Sequence, residues 1–173
     1  MSVSSASRIR SSRLRLPLAA SLVGAILIWP EAGIAQSNSP FAKFSGSWRG
    51  SGQVVGADGK HERISCRATY VISEEGKALS QSLVCASDSY RFDVRSDVAA
   101  EGENVRGQWQ ETTRNAMGNL VGQIADGDFQ GSIGGSGFTA EMSLRMNGRK
   151  QEVNISPHGG DVAEVNIVLS REK

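Results

Sequence analysis

Few side chains in this sequence could perform chemistry, and their spacing matches no common catalytic or metal-binding pattern. The chain has two histidines. His61 and His158 have no partners at the spacing of a zinc site. Neither stands with a nucleophile and an orienting acid in a recognisable triad motif. We therefore expect a protein that is not an enzyme and that carries no metal or cofactor.

The two cysteines, Cys66 and Cys85, are too far apart in sequence for a CxxC redox motif. Cysteines of exported proteins usually pair because their compartment is oxidising. A structural disulfide is the prediction, and a reactive thiol pair is the weaker alternative.

The amino terminus predicts export. A basic stretch, MSVSSASRIRSSRLR, precedes an apolar run from Leu16 to Trp29, and small residues follow at Gly33 and Ala35. These are the three parts of a secretory signal peptide, so residues 1–35 are predicted to be removed by cleavage after Ala35. An uncleaved membrane anchor is the alternative, but a spanning helix needs about 20 apolar residues. The expected location is the periplasm or the exterior.

Residues 36–173 are enough for one domain with a core of its own. Residues 36–43, QSNSPFAK, are predicted to be a flexible lead-in, and residues 44–173 a single domain. Positive and negative charges beyond the leader nearly balance, which excludes the strongly basic face that nucleic-acid binding requires.

Alternation of apolar and polar residues predicts an all-β fold. The stretches ISCRATYVI, YRFDVRSDV and FTAEMSLRM each place apolar residues at every second position. Nine turn-like segments separate such runs, which implies about ten strands joined as hairpins. Closing this up-and-down antiparallel meander into a small barrel would leave no exposed edges, so a barrel is favoured over a sandwich. Glycines inside the strands, such as Gly50 and Gly107, suit the tight bends of such a barrel.

The register of the second hairpin can be tested on the cysteines. If Glu75 and Gly76 form its loop, Cys66 and Cys85 each lie nine residues from the loop residue on their own side. They would face each other on neighbouring strands, at a distance that a disulfide can bridge.

The stretch GSWRGSGQV places Trp48 on the inner face of the first strand, and AEVNIVLSREK places Arg171 on the inner face of the last. In a closed meander the first and last strands are neighbours. The two side chains are therefore predicted to meet inside one end of the barrel, with the guanidinium stacked on the indole.

A Gly-x-Trp on the first strand with a basic residue on the last resembles the calycin superfamily of lipocalins, fatty-acid-binding proteins and avidins. The string GSWRGSG is similar to the GxWxGxG opening of the nitrobindin-type barrels. That resemblance implies ten strands and bound haem. Nitrobindins ligate haem through a histidine in the final strand, whereas residues 163–173 contain none and His158 precedes them. Haem binding is therefore the minor alternative.

The barrel interior is where a ligand would bind. A cavity lined by aromatic and apolar groups with a few polar anchors is typical of small-molecule sites. The alternative is a core filled by its own side chains. The predicted lining comprises Tyr70, Gln81, Phe92, Trp109, Glu111, Phe129, Phe138, Met142 and Met146.

Two functional hypotheses follow for the exported barrel. The first is binding of a small hydrophobic molecule inside it, without catalysis. The second is a structural or interaction module of the cell envelope with a filled core, whose arginine and aspartate ladder at residues 91–97 could contact another protein.

Overall fold

The structure is a computed structural model that describes residues 39–73, 75–135 and 137–173. The predicted signal peptide, residues 1–35, lies outside the described residues. In the part of the chain described, no helix has the length and apolar character needed to cross a membrane. The ten strands are β1 Gly46–Gly56, β2 His61–Ile72, β3 Ala78–Ala86, β4 Arg91–Glu101, β5 Asn104–Glu111, β6 Ala116–Ala125, β7 Asp128–Gly135, β8 Phe138–Asn147, β9 Lys150–His158 and β10 Val162–Arg171.

Every strand pairs antiparallel with the next along the chain, and β10 returns to pair with β1, so the sheet closes into a barrel. The all-β meander predicted from the alternating pattern is confirmed. Most inward positions carry apolar residues and most outward positions polar ones, as a two-residue period requires. The exceptions include exposed Val71, Met117, Val121 and Val168 and buried Ser96, Glu111 and Gln151. Closure pairs the backbone groups of every strand on both sides, which removes sheet edges.

The second hairpin has the predicted register. Cys66 lies opposite Cys85 on β2 and β3, their Cα atoms are 4.1 Å apart, and their sulfurs are bonded. The predicted disulfide is therefore confirmed. It joins two adjacent strands on the inner face of the barrel wall, where both residues are buried.

The two ends of the barrel differ. We call the end that holds Trp48 and Arg171 the floor and the opposite end the mouth. Residues 40–44 form turns that place Phe41 and Phe44 across the floor, each with 3% of its surface exposed. Part of the predicted flexible lead-in, residues 39–43, thus belongs to the folded core, and residues 36–38 lie outside the described residues. The reason is burial of Phe41 against the edge of the Phe44 ring, with ring centroids 6.3 Å apart.

Two inward glycines show how closely the strands approach. A Cβ atom on Gly50 would lie 1.9 Å from the carbonyl oxygen of Val168 on β10. A Cβ on Gly107 would lie 2.2 Å from the carbonyl oxygen of Asp97 on β4. No side chain fits at such distances, so these positions require glycine for close contact between strands.

Candidate ligand-binding interior

The floor half of the interior is closely packed apart from one small cavity. Trp48 is fully buried, and its indole nitrogen donates a hydrogen bond of 2.7 Å to the carbonyl oxygen of Phe44. Arg171 lies directly opposite Trp48 in the β1–β10 register, with its Cζ atom 4.7 Å from the centre of the indole. The guanidinium also donates a hydrogen bond to the carbonyl oxygen of Lys43. The first and last strands thus bring the two residues together as a cation–π pair.

A buried polar pair joins β2 to β9 at the floor. The Tyr70 hydroxyl on β2 donates to Gln151 Oε1 on β9 at 2.8 Å, and Gln151 is fully buried. The Gln151 amide nitrogen lies 3.7 Å from Met146 Sδ. Burial raises the pKa of Tyr70 well above its ordinary value, against the smaller effect of the bond to Gln151. The hydroxyl therefore stays protonated and remains a donor.

A small cavity of about 40 Å³ lies beside Tyr70, against Phe41 and Phe44 of the floor. Its volume is close to that of one water molecule. Two polar residues in its wall bond to each other, since Ser96 Oγ donates to Gln81 Oε1 at 2.9 Å. Of the predicted lining, this cavity brings together Tyr70, Gln81, Phe129 and Met142.

Burial of the inward residues is uneven toward the mouth, where Val54, Ile64 and Ala140 are as fully buried as the residues of the floor. Inward residues of the floor half such as Leu169 and Ile167 have 1% and 3% of their surface exposed. Toward the mouth, six apolar side chains with the same inward orientation are only half-buried, and we call them the mouth lining. The mouth lining comprises Leu83, Val94, Ile133, Met142, Ile155 and Val165.

Two aromatic pairs lie among the inward and rim residues near the mouth. Trp109 packs against Phe138 with ring centroids 5.5 Å apart, and its indole nitrogen donates to the carbonyl oxygen of Gly134 at 3.2 Å. On the β3–β4 side, Tyr90 stacks on Phe92 at 5.9 Å with nearly parallel rings. Arg114 covers the second pair, with Cζ 4.8 Å from the centre of the Phe92 ring. The β5–β6 turn thus holds a cation over an aromatic stack at the rim.

Glu111 is buried, but it does not serve as the predicted polar anchor for a ligand. Its carboxylate accepts hydrogen bonds from the backbone N–H groups of Asp93, Thr113 and Arg114 and from the Thr113 hydroxyl. Burial alone would raise the pKa of Glu111, but these donors together outweigh it and lower the pKa below its usual value. The side chain is therefore a negatively charged cap for the β5–β6 turn, which corrects the prediction.

The remaining predicted residues divide between the two halves. Phe92, Trp109 and Phe138 lie near the mouth, whereas Met146 is half-buried beside Gln151. Sequence reasoning missed Phe41, Gln151 and Arg114. Gln151 could have been predicted to point into the barrel, because it lies on the same face of β9 as Val153 and Ile155.

The histidines do not fit a haem ligand inside this barrel. His61 begins β2 and His158 ends β9, and both point outward with exposed side chains. Both cysteines are in the disulfide. A histidine axial ligand, as the nitrobindin resemblance implies, is therefore lacking in the interior. The described residues also contain no cluster of three or more histidine, cysteine or acidic side chains that could hold a metal ion.

Ten antiparallel strands closed in a meander define a barrel of the calycin-like class. No protein-family model matches this chain, and no curated protein matches it. Several solved structures do share its fold. One is Rv2717c from M. tuberculosis, with 12% identity and a TM-score of 0.64 over 80% of this chain and 99% of that protein.

Two further structures agree with this class. The S-type phycobiliprotein lyase CPES from Guillardia theta is 15% identical, with a TM-score of 0.55 over 77% of this chain and 90% of the lyase. A DUF3598-family protein of unknown function from Nostoc punctiforme is 14% identical, with a TM-score of 0.54 over 75% of this chain and 48% of that protein. At these identities the similarity establishes the fold alone.

Proposed function

We propose that this protein binds a small, flat, apolar molecule in the mouth half of its barrel, without catalysing a reaction. One observation carries the proposal: the mouth lining is half-buried, although its members point inward like the fully buried residues of the floor. Inward apolar surface that still meets water gains about 25 cal/mol per Å² when a ligand covers it. The interior is therefore best suited to binding an apolar ligand.

The aromatic pairs support a flat guest. The faces and edges of Trp109, Phe138 and Phe92 favour offset stacking or edge contacts with another ring system. Barrels of this fold include a phycobiliprotein lyase, which is in keeping with a ligand-binding interior.

The polar groups of the interior support a neutral guest. Ser96 bonds to Gln81, Tyr70 bonds to Gln151, and the Glu111 carboxylate is saturated by the β5–β6 turn. A charged ligand would lose its hydration without gaining a free partner among these groups. An uncharged molecule avoids that cost.

Titration with the neutral fluorescent probe N-phenyl-1-naphthylamine tests the proposal. The wild-type protein is expected to bind it saturably and to transfer excitation energy from Trp109. Ile155→Phe adds volume to the mouth half and should weaken binding about tenfold or more. Val168→Phe is the matched control, because Val168 lies on the outer face of neighbouring β10 with 47% of its surface exposed. Equal affinity of both variants and the wild type would refute an interior site.

Export belongs to the same proposal. A disulfide between Cys66 and Cys85 suits an oxidising compartment, which supports the predicted cleavage after Ala35 and a periplasmic or secreted protein. Amino-terminal sequencing of the protein recovered from the periplasm and the culture medium tests this. A start at Met1, or recovery in the cytoplasm alone, would oppose it.

The envelope-module hypothesis stays a prediction. Crosslinking in envelope fractions followed by pull-down tests it, and recovery of no partner would count against it.

A further inference from the structure

A second concavity lies on the outside of the barrel. A groove of about 660 Å³ runs over the outer face of β1, β2 and β3 and reaches the start of β4. Three arginines line it, Arg49 on β1, Arg67 on β2 and Arg91 on β4. Between them lie small residues, including the hydroxyl-bearing Ser65, Thr69 and Ser82. The groove thus combines guanidinium groups with hydroxyl donors, and it has the volume of a small-molecule site.

Two of these arginines are placed against each other. Arg49 and Arg67 are direct cross-strand partners in the β1–β2 register, and both are exposed on the outer face. Like charges directly opposite each other destabilise a sheet. An anion bound between the two guanidiniums would remove this repulsion.

The nearby carboxylates neutralise only part of the positive charge of the three groove arginines. Glu172 contacts Arg49 at 2.7 Å, but both side chains are well exposed, and such pairs contribute little. Asp93 is 4.0 Å from Arg91. Arg67 has no carboxylate within 4.0 Å among residues 39–73, 75–135 and 137–173. The centre of the groove is therefore its most positive part.

We propose that this groove binds an anion that carries two or more phosphate groups. One phosphate occupies the Arg49–Arg67 pair, where two guanidiniums can each donate paired hydrogen bonds to its oxygens. A second reaches Arg91, which lies two strands and about two residues away, roughly 12 Å across the sheet. The hydroxyl of Ser65, which is level with Arg91 across β2, β3 and β4, donates to oxygens between them, and Thr69 flanks Arg67 on the other side.

This site is independent of the interior. Its arginines and hydroxyl-bearing side chains point outward from β1–β4, whereas the mouth lining points inward and lies mostly on β7–β10. A molecule suited to the interior is neutral and apolar, and one suited to the groove is charged and hydrophilic. The groove can therefore be tested without occupying the barrel.

Calorimetry with sodium tripolyphosphate at low ionic strength tests the proposal on the purified protein. The wild type is expected to bind saturably, and added salt should weaken binding. Arg67→Gln should raise the dissociation constant about tenfold or more, and Arg67→Lys by less, since lysine keeps the charge without the paired donors. Arg145→Gln is the control, because it removes the same charge from the outer face of β8, away from the groove.

Thermal unfolding gives a second readout. Without the anion, Arg67→Gln should melt slightly higher than the wild type at low salt, because Arg49 loses its like-charged partner. With tripolyphosphate the order should reverse, since only the wild type is stabilised by binding. An affinity unchanged in Arg67→Gln, an equal loss in Arg145→Gln, or no saturable binding by the wild type would each overturn the proposal. None of these outcomes bears on the interior site.

Discussion

The Tyr70 hydroxyl and the Gln151 amide oxygen form a buried hydrogen bond of 2.8 Å between β2 and β9, two strands that are not neighbours in the sheet. Only β1 and β10 separate these two strands in the closed sheet, so the bond bridges the inner face of the β1–β10 contact. It fixes the two side chains above Trp48, whose ring packs edge-on against Tyr70 at 6.5 Å.

Removing the Tyr70 hydroxyl should destabilise the protein. Tyr70→Phe leaves the buried Gln151 oxygen without its donor, which costs about 1–3 kcal/mol of unfolding free energy. Urea unfolding followed by circular dichroism measures the change. Tyr90→Phe at the half-buried mouth is the matched control. The double variant Tyr70→Phe/Gln151→Leu should recover part of the loss, and no recovery would contradict the explanation.

The turn before β1 should contribute to stability as part of the core. Phe41→Ala removes a ring with 3% exposure and is expected to cost about 3–5 kcal/mol. Val71→Ala, at a side chain with 62% exposure, should change the unfolding free energy little. If both variants unfold at the wild-type urea concentration, residues 39–43 do not cover the floor in solution.

The contact between β1 and β10 should not tolerate a methyl group. Gly50→Ala would place its Cβ 1.9 Å from the Val168 oxygen, so the strands must separate, at a cost of about 1–3 kcal/mol. Gly134→Ala is the control, because a Cβ there meets no atom within 4 Å. Thermal unfolding compares the two. A cost for Gly134→Ala equal to that for Gly50→Ala would argue against the steric explanation.

Glu111 should make the unfolding free energy of the protein depend on pH in the acidic range. Its pKa is lower in the folded protein than the value of about 4.3 expected when unfolded. Its stabilising contribution is therefore complete above that pH and is lost as the pH falls through the folded pKa. Glu111→Gln should be less stable than the wild type at neutral pH, and the difference should shrink in acid. Glu141→Gln, at an exposed position on β8, is the matched control in pH-dependent urea unfolding.

The disulfide should stabilise the barrel by reducing the conformational entropy of the unfolded chain. Its cysteines are 19 residues apart, and a loop of that size corresponds to about 3 kcal/mol. Replacing both with alanine should lower the unfolding free energy by that amount. Reduction should have the same effect on the wild type and none on the variant. A response of the variant to reductant would point to another cause.

The barrel and its disulfide follow from local sequence pattern. Alternation sets which residues face inward, and hairpin loops set which residues oppose each other, so Cys66 and Cys85 could be paired from their distances to the loop alone. The meeting of Trp48 with Arg171 needed only the added assumption of closure.

Which inward residues are only half-buried could not be predicted from the same pattern. The alternation along β10 shows that Leu169 and Val165 point inward. How tightly other side chains pack against each of them depends on strand tilt and on what covers the end of the barrel. Phe41 lies in a turn without periodicity, so no pattern marks it as core. Glu111 was misassigned because its partners come from a turn whose conformation the sequence leaves open.

The seam between β1 and β10 also bears on how the molecule forms. Arg49 and Glu172, which bond across it, are separated by 123 residues, so the first strand has no partner on one side until the last strand is available. Contacts of this range form slowly because a long loop must close first. If the chain crosses a membrane with its amino terminus first, the sheet stays open until β10 has crossed. Only then can β1 pair with β10 and close the barrel.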